Sequence, residues 1–175
     1  ALVPRDSDAA NRLTAPNYDE FQSDREVWEL LQQRPECVLR ITMAHCHVPT
    51  VAGILPDGGP AAMEHAVAEM AALTTSPLTR TVSDILWVYE VVSPHRPQLR
   101  QIGLGGFGRT EEIRTDATPR GTIIRNEGIH PDKAEGRARL ITATNAYIGT
   151  VNCAVRDAAG KFTAALERVV HERGD

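Results

Sequence analysis

The stretch DILWVYEVVSPHRPQLRQIGLGGFGR, Asp84–Arg109, governs how this chain is read. Its first nine residues, DILWVYEVV, are rich in β-branched and aromatic side chains, the composition of a strand. SPHRP, Ser93–Pro97, carries turn residues, and QLRQIGLGGFGR, Gln98–Arg109, reads as a second strand. The pattern predicts a hairpin with a five-residue connection. The same stretch satisfies G-x-G-x-x-G at Gly103–Gly108. Dinucleotide binding needs that pattern between a strand and a helix, so that the helix N-terminus meets the pyrophosphate. The next residues, RTEEIRTDATPRG, have no sustained apolar face. The glycines are therefore read as part of a strand that bulges or admits another backbone closely.

Upstream, residues 1–19 are polar with two prolines and read as an extended lead-in; LVPR at Leu2–Arg5 resembles a protease-cleavage scar. SDREVWELLQQRP predicts a short helix, with Ser23 as N-cap, Glu26 completing a capping box, and Val27, Leu30 and Leu31 inward. Pro35 stops it. In ECVLRITMAH, Glu36–His45, Val38, Arg40 and Thr42 alternate with Leu39, Ile41 and Met43, which predicts a strand. LPDGGP is a loop. AAMEHAVAEMAALTT predicts a helix with Met63, Val67, Met70 and Ala71 toward the core.

Downstream, Thr110–Arg120 reads as a polar loop and GTIIRNE, Gly121–Glu127, as a short strand. Pro131 suits the first turn of a helix continuing through DKAEGRARLITATNAYI, with Ala134, Ala138, Ile141 and Ile148 on one side. GTVNCAVRD predicts a strand. KFTAALERVVHER predicts a last helix with Phe162, Leu166, Val169 and Val170 inward. Helices and strands mix without a strict βαβ rhythm. The expectation is one α+β domain over residues 1–175, with a mixed sheet packed by helices.

The 175 residues suffice for one domain with a real core. A net charge of −4 without a basic stripe argues against a nucleic-acid partner. Apolar runs too short to span a bilayer, and no signal-peptide pattern, argue against a membrane. Three cysteines, Cys37, Cys46 and Cys153, with no C-x-x-C, argue against a disulfide framework or a structural zinc site. A reducing cytoplasm fits that usage.

Two stretches carry candidate chemistry. HCH, His45–His47, would place two imidazoles on one face of an extended chain, with Cys46 between them. Two imidazoles and a thiol can start a zinc or copper site, but no second ligand pair is evident in the sequence, and against it stands a strand end with polar side chains. GTIIRNEGIHPDKAEGRARL, Gly121–Leu140, concentrates ionisable groups at a helix start. Glu127 is placed to act as a base. Lys133 and Arg137 are four apart and share a helical face, and cations beside a helix N-terminus suit phosphate. Against this stands a solvated helix in which Asp132 and Glu135 pair with Lys133, Arg137 and Arg139 for little gain.

The order of segments resembles a known family. LTAPNYDEFQSDRE is similar to the APPYDVVS-x-x-E opening of the domain of unknown function 1015 family. LWVYEVV and RQIGLGGFGR resemble its hairpin, and GTIIRNEGIHPDKAEGRARLITATNAYIGTV resembles its HE-x-T-x-x-x-K-x-x-R block. The chain then corresponds to the N-terminal half of the family. The other half carries an ADGHHR motif that resembles the free-serine kinases of the ParB and sulfiredoxin-like superfamily. The resemblance implies a nucleotide-dependent kinase-like protein acting on a hydroxyl-bearing amino acid such as serine, using ATP or ADP with magnesium. It implies Glu127 as the base, with Lys133, Arg137, Arg139 and His130 contacting substrate or phosphate. The departures are Asn126 in place of the family's His and the lack of DGHHR in these residues. They imply a missing C-terminal half or a second chain that completes the site. They also keep open a non-catalytic module that binds a nucleotide or anion or docks a partner.

Overall fold

The computed structural model describes residues 1–17, 20–125, 128 and 130–173. Contacts divide the chain into two compact units, Ala1–Val82 with Ile129–Thr150, and Ser83–Gly128 with Val151–Asp175.

In the first unit the lead-in is ordered. β1 (Leu2–Pro4) pairs antiparallel with β2 (Thr79–Thr81), Leu2 opposite Thr81. Leu2–Pro4 of LVPR is thus part of a sheet. α1 (Ser7–Leu13) comes next, its first turn closed by the Asp6 carboxylate, which accepts from the Ala9 amide at 2.9 Å. An Asp N-cap satisfies an amide that the helix itself leaves without a partner. α2 (Asp24–Gln33) starts as expected, with Ser23 as its cap. Glu26 reaches back to the Gln22 amide at 2.8 Å, one residue earlier than a strict capping box.

The predicted strand Glu36–His45 is helical: α3 (Leu39–Thr42) and a 3-10 turn at Ala44–Cys46. Two packing faces explain the misreading. Ile41 and Ala44 belong to one core cluster with Leu13, Ala66, Leu73 and Leu140, while Cys37, Leu39 and Cys46 join Val27 and Leu31 in another. A short segment buried on both sides shows no single period, so alternation does not separate helix from strand.

α4 (Pro60–Thr75) is the long helix of this unit, with Pro60 in its first turn. Its buried stripe is Ala62, Ala66 and Leu73, rotated from the predicted one. Met63 and Met70 pack at its edge, and Val67 is exposed. α5 (Pro131–Thr144) packs on α4 and inserts Leu140 into the core. It ends at Asn145 in the left-handed conformation, φ 49°.

In the second unit β3 (Trp87–Ser93) pairs antiparallel with β4 (Arg96–Gly105). The hairpin was legible, but its connection is only Pro94–His95, because Ser93 pairs with Arg96. The glycines have a specific reason. Gly103 lies opposite Tyr89 and Gly105 opposite Trp87, and a Cβ at either glycine would run into the facing ring. Aromatic rings fold across the strand into that space, where a backbone approach was expected. The element directly after Gly108 is a 3-10 turn at Thr110–Glu112, so the dinucleotide fingerprint lacks its helix. α6 (Lys161–Arg173) lies on the hairpin, burying Leu166 with Phe162 and Val170 half-buried; Val169 is exposed. Arg100 bridges the pair, reaching Glu90 at 2.8 Å and Glu167 at 3.0 Å.

The expected mixed sheet is corrected. Among the described residues there are six helices and two separate two-stranded antiparallel sheets. Glu36–His45 is helical, Gly149–Asp157 is irregular with Val151 and Val155 exposed, and of the predicted strand Gly121–Glu127 the described residues 121–125 contribute only the bridge Ile113–Ile123. Strands without a buried face had nothing to pair against. The α+β class stands. Among the described residues, no helix is long and apolar enough to cross a membrane.

Candidate functional site

Glu127, the residue the sequence points to as a base, lies outside the described residues, as does Asn126. Of the remaining predicted residues, His130 and Lys133 sit at the start of α5 and Arg137 and Arg139 farther along it. His130 is its N-cap and is exposed; it makes no side-chain capping bond, and its carbonyl accepts from Ala134 at 3.0 Å. Pro131 occupies the first turn, where a missing N–H costs nothing. Asp132 adds a carboxylate in that turn. Lys133 is exposed and Arg137 half-buried, one turn apart on one face. Arg139 does not join them. Two residues past Arg137 it projects roughly 200° around the helix. Its guanidinium pairs with Glu135 at 3.0 Å, an exposed pair of the kind that contributes little. The other side of that guanidinium lies against the turn at Gly58, φ 68°.

A denser constellation forms around the HCH motif, which is not extended. His45 lies in the 3-10 turn, 3% exposed. Its Nε2 is 3.3 Å from Asp24 Oδ1, and its Nδ1 is 3.4 Å from Asp57 Oδ1. His47 turns elsewhere, to Glu69 at 3.4 Å. Glu69 also faces Arg40 Nε at 3.2 Å, without the angle of a hydrogen bond. Asp24 is the first residue of α2, Asp57 sits in the LPDGGP loop, and Glu69 is on α4. The turn is held by backbone bonds from Cys46 to Met43 (2.9 Å), from His47 to Ala44 (3.1 Å) and from Leu55 to His45 (3.0 Å). Trp28 of α2 donates to the Val48 carbonyl at 2.9 Å, tying the helix that carries Asp24 to the segment that carries His45. Burial pushes the Cys46 thiol up to about 12, and the Asp24 and Asp57 carboxylates push the same way.

The sequence showed the HCH triplet and the capping pattern that begins α2. It did not show that Asp24, Asp57 and Glu69 converge on the triplet. Each lies on a different element, so only packing joins them.

A hollow of about 460 Å³ in the second unit is lined by Glu111, Glu112, Thr118, Pro119, Arg120 and Gly121, none of them a predicted site residue. Two carboxylates against one guanidinium make it a poor place for phosphate.

No curated protein and no solved structure matches the chain. A family model does, over residues 1–174: the chain belongs to the DUF1015 family, described as a protein of unknown function.

Proposed function

We propose that this chain supplies a phosphate-binding edge in a kinase-like, nucleotide-dependent protein whose substrate is a hydroxyl-bearing amino acid such as serine. One observation carries the reading. The first turn of α5 has no side-chain cap and carries Lys133, and Arg137 follows one turn later on the same face. Backbone N–H groups, a helix dipole and two cations together favour a phosphate. In the resemblance to the free-serine kinases, Glu127 takes the proton of the substrate hydroxyl as its oxygen attacks the terminal phosphorus of ATP or ADP. The nucleotide then leaves one phosphate shorter. Lys133 and Arg137 neutralise phosphate oxygens, and bound magnesium would supply further charge neutralisation. His130 sits next to the same helix start, and Arg139 contributes only by leaving Glu135.

The test separates binding from transfer. ATP and ADP are titrated into the chain, and phosphoserine is sought from serine. Lys133→Ala should weaken nucleotide binding by about tenfold, the worth of one charge-assisted contact. Glu127→Gln should abolish product while leaving binding and fold unchanged. Unchanged turnover in Glu127→Gln removes the base assignment; unchanged binding in Lys133→Ala removes the phosphate edge.

A second reading has its own observation. Lys133 is exposed in the first turn of α5, and the hollow of the second unit lies on other residues. An exposed cation at a helix start binds an anion, or a partner chain that completes the site, without transfer. Saturable ADP binding with no product favours it.

A further inference from the structure

We propose that Asp24, His45 and Cys46 form a zinc-binding site in the first unit, independent of the phosphate reading. Three different donor types converge there: a carboxylate oxygen, an imidazole nitrogen and a free thiol sulfur, all within 4.8 Å of one another. That mixture suits Zn²⁺, which accepts oxygen, nitrogen and sulfur in one tetrahedron. Zinc bonds of about 2.0–2.3 Å place neighbouring ligands roughly 3.3–3.8 Å apart. The His45 Nε2–Asp24 Oδ1 edge is already 3.3 Å.

The surroundings fit a ligating histidine in a second, separate respect. With Nε2 given to the metal, Nδ1 carries the ring proton, and Asp57 Oδ1 stands 3.4 Å away on that side. A carboxylate behind a histidine fixes its tautomer and orientation, the usual support of a metal-bound imidazole. Without a metal, one imidazole faces two carboxylates. The ligand-bearing elements are also fastened to each other, through the backbone bonds of the 3-10 turn and the Trp28–Val48 bond. His45 and Cys46 are buried, while the Asp24 side chain is half-exposed, so the ion has an entrance and the fourth position opens to water. On binding, the Cys46 thiol releases its proton to solvent and the sulfur ligates as thiolate.

The experiment uses the full chain. Zn²⁺ is titrated against a chromophoric chelator, and Co²⁺ is used as a spectroscopic probe. The expected results are one ion per chain, tetrahedral cobalt bands and a thiolate-to-cobalt charge-transfer band. Asp24→Asn, at a half-exposed position, should weaken binding by at least about tenfold, and Asp57→Asn by a similar or smaller factor. Cys46→Ser should remove the charge-transfer band. Cys153→Ser, at the exposed cysteine, should change nothing. If Cys46→Ser does not fold, the cobalt band in wild type and Cys153→Ser, weakened in Asp24→Asn, decides in favour. No stoichiometric binding, binding indifferent to Asp24→Asn, or a band that disappears with Cys153→Ser overturns the site and leaves His45 only as a side chain packed between two carboxylates.

Discussion

The two units put their apolar residues to opposite uses. Among the described residues every buried apolar side chain except Leu166 belongs to the first unit. Of the large apolar side chains left exposed, all but Val51, Val67 and Tyr147 belong to the second, Phe107 at 81% among them. The first unit is built on helices whose stripes meet around Ile41 and Leu31. The second is a two-stranded hairpin with one helix laid on it, and such a ribbon has little to pack its outer face against. Sequence hydrophobicity and burial thus part company where the layer that would cover a sheet is thin.

Four measurements put that contrast at risk. Thiol labelling should show the largest difference. Cys37 and Cys46 are fully buried in the first unit and Cys153 is exposed in the second. Native protein should label once quickly, the buried pair at least about a thousandfold slower, because their exposure requires opening of a stable core. Rapid labelling of all three would mean that the first unit's core opens readily.

Next in size, Ile41→Ala should lower the unfolding free energy by about 2–5 kcal/mol, as a buried large-to-small change does. A denaturant midpoint within error of wild type would contradict the packing of α3 between the two clusters.

Gly105→Ala should cost about 1–3 kcal/mol, from forcing a Cβ into the Trp87 ring. Trp87→Ala should relieve much of that penalty in the double variant, which a double-mutant cycle reads directly. Additive losses would show that the glycine is there for another reason.

The smallest effect is on acid stability. Asp157 accepts from the Thr163 amide (2.8 Å) and hydroxyl (2.9 Å) at the start of α6, and these bonds hold its carboxyl below the usual range. In the first unit, Arg12 does the same for Glu36, through Nε–Oε2 at 2.6 Å and a second bond beside it. A lowered folded pKa means stability present above the unfolded carboxylate value and lost as pH falls through the folded one. Asp157→Asn and Glu36→Gln should each flatten the acid limb of the stability profile slightly. A limb unchanged in both variants would place acid sensitivity elsewhere.

Local patterns were legible where one mechanism dominates. The Ser23 cap, Pro131 in the first turn of α5, the helical spacing of α4 and the β-branched run of β3 each rest on a preference expressed within a few residues. Three segments with apolar residues were misread as strands for lack of context. Glu36–His45 is packed from two sides and coils. Gly149–Asp157 is not packed and stays irregular. In the described residues 121–125 of Gly121–Glu127 only Ile123 finds a strand-like partner. The candidate chemistry divides the same way. The pairing of Lys133 with Arg137 follows from spacing along one helix, whereas Arg139, expected beside them, turns to Glu135 instead. The carboxylates around His45 come from residues 24, 57 and 69 of the chain.

Short-range preferences and the order of segments were enough to set the starts of α2, α4, α5 and α6, the hairpin, the α+β class and the family, but not α1 or α3. Tertiary packing settled which apolar faces are covered, why Gly103 and Gly105 must lack side chains, and that His45 stands between Asp24 and Asp57. Those outcomes depend on contacts between residues far apart in the chain, and no local spacing encodes them.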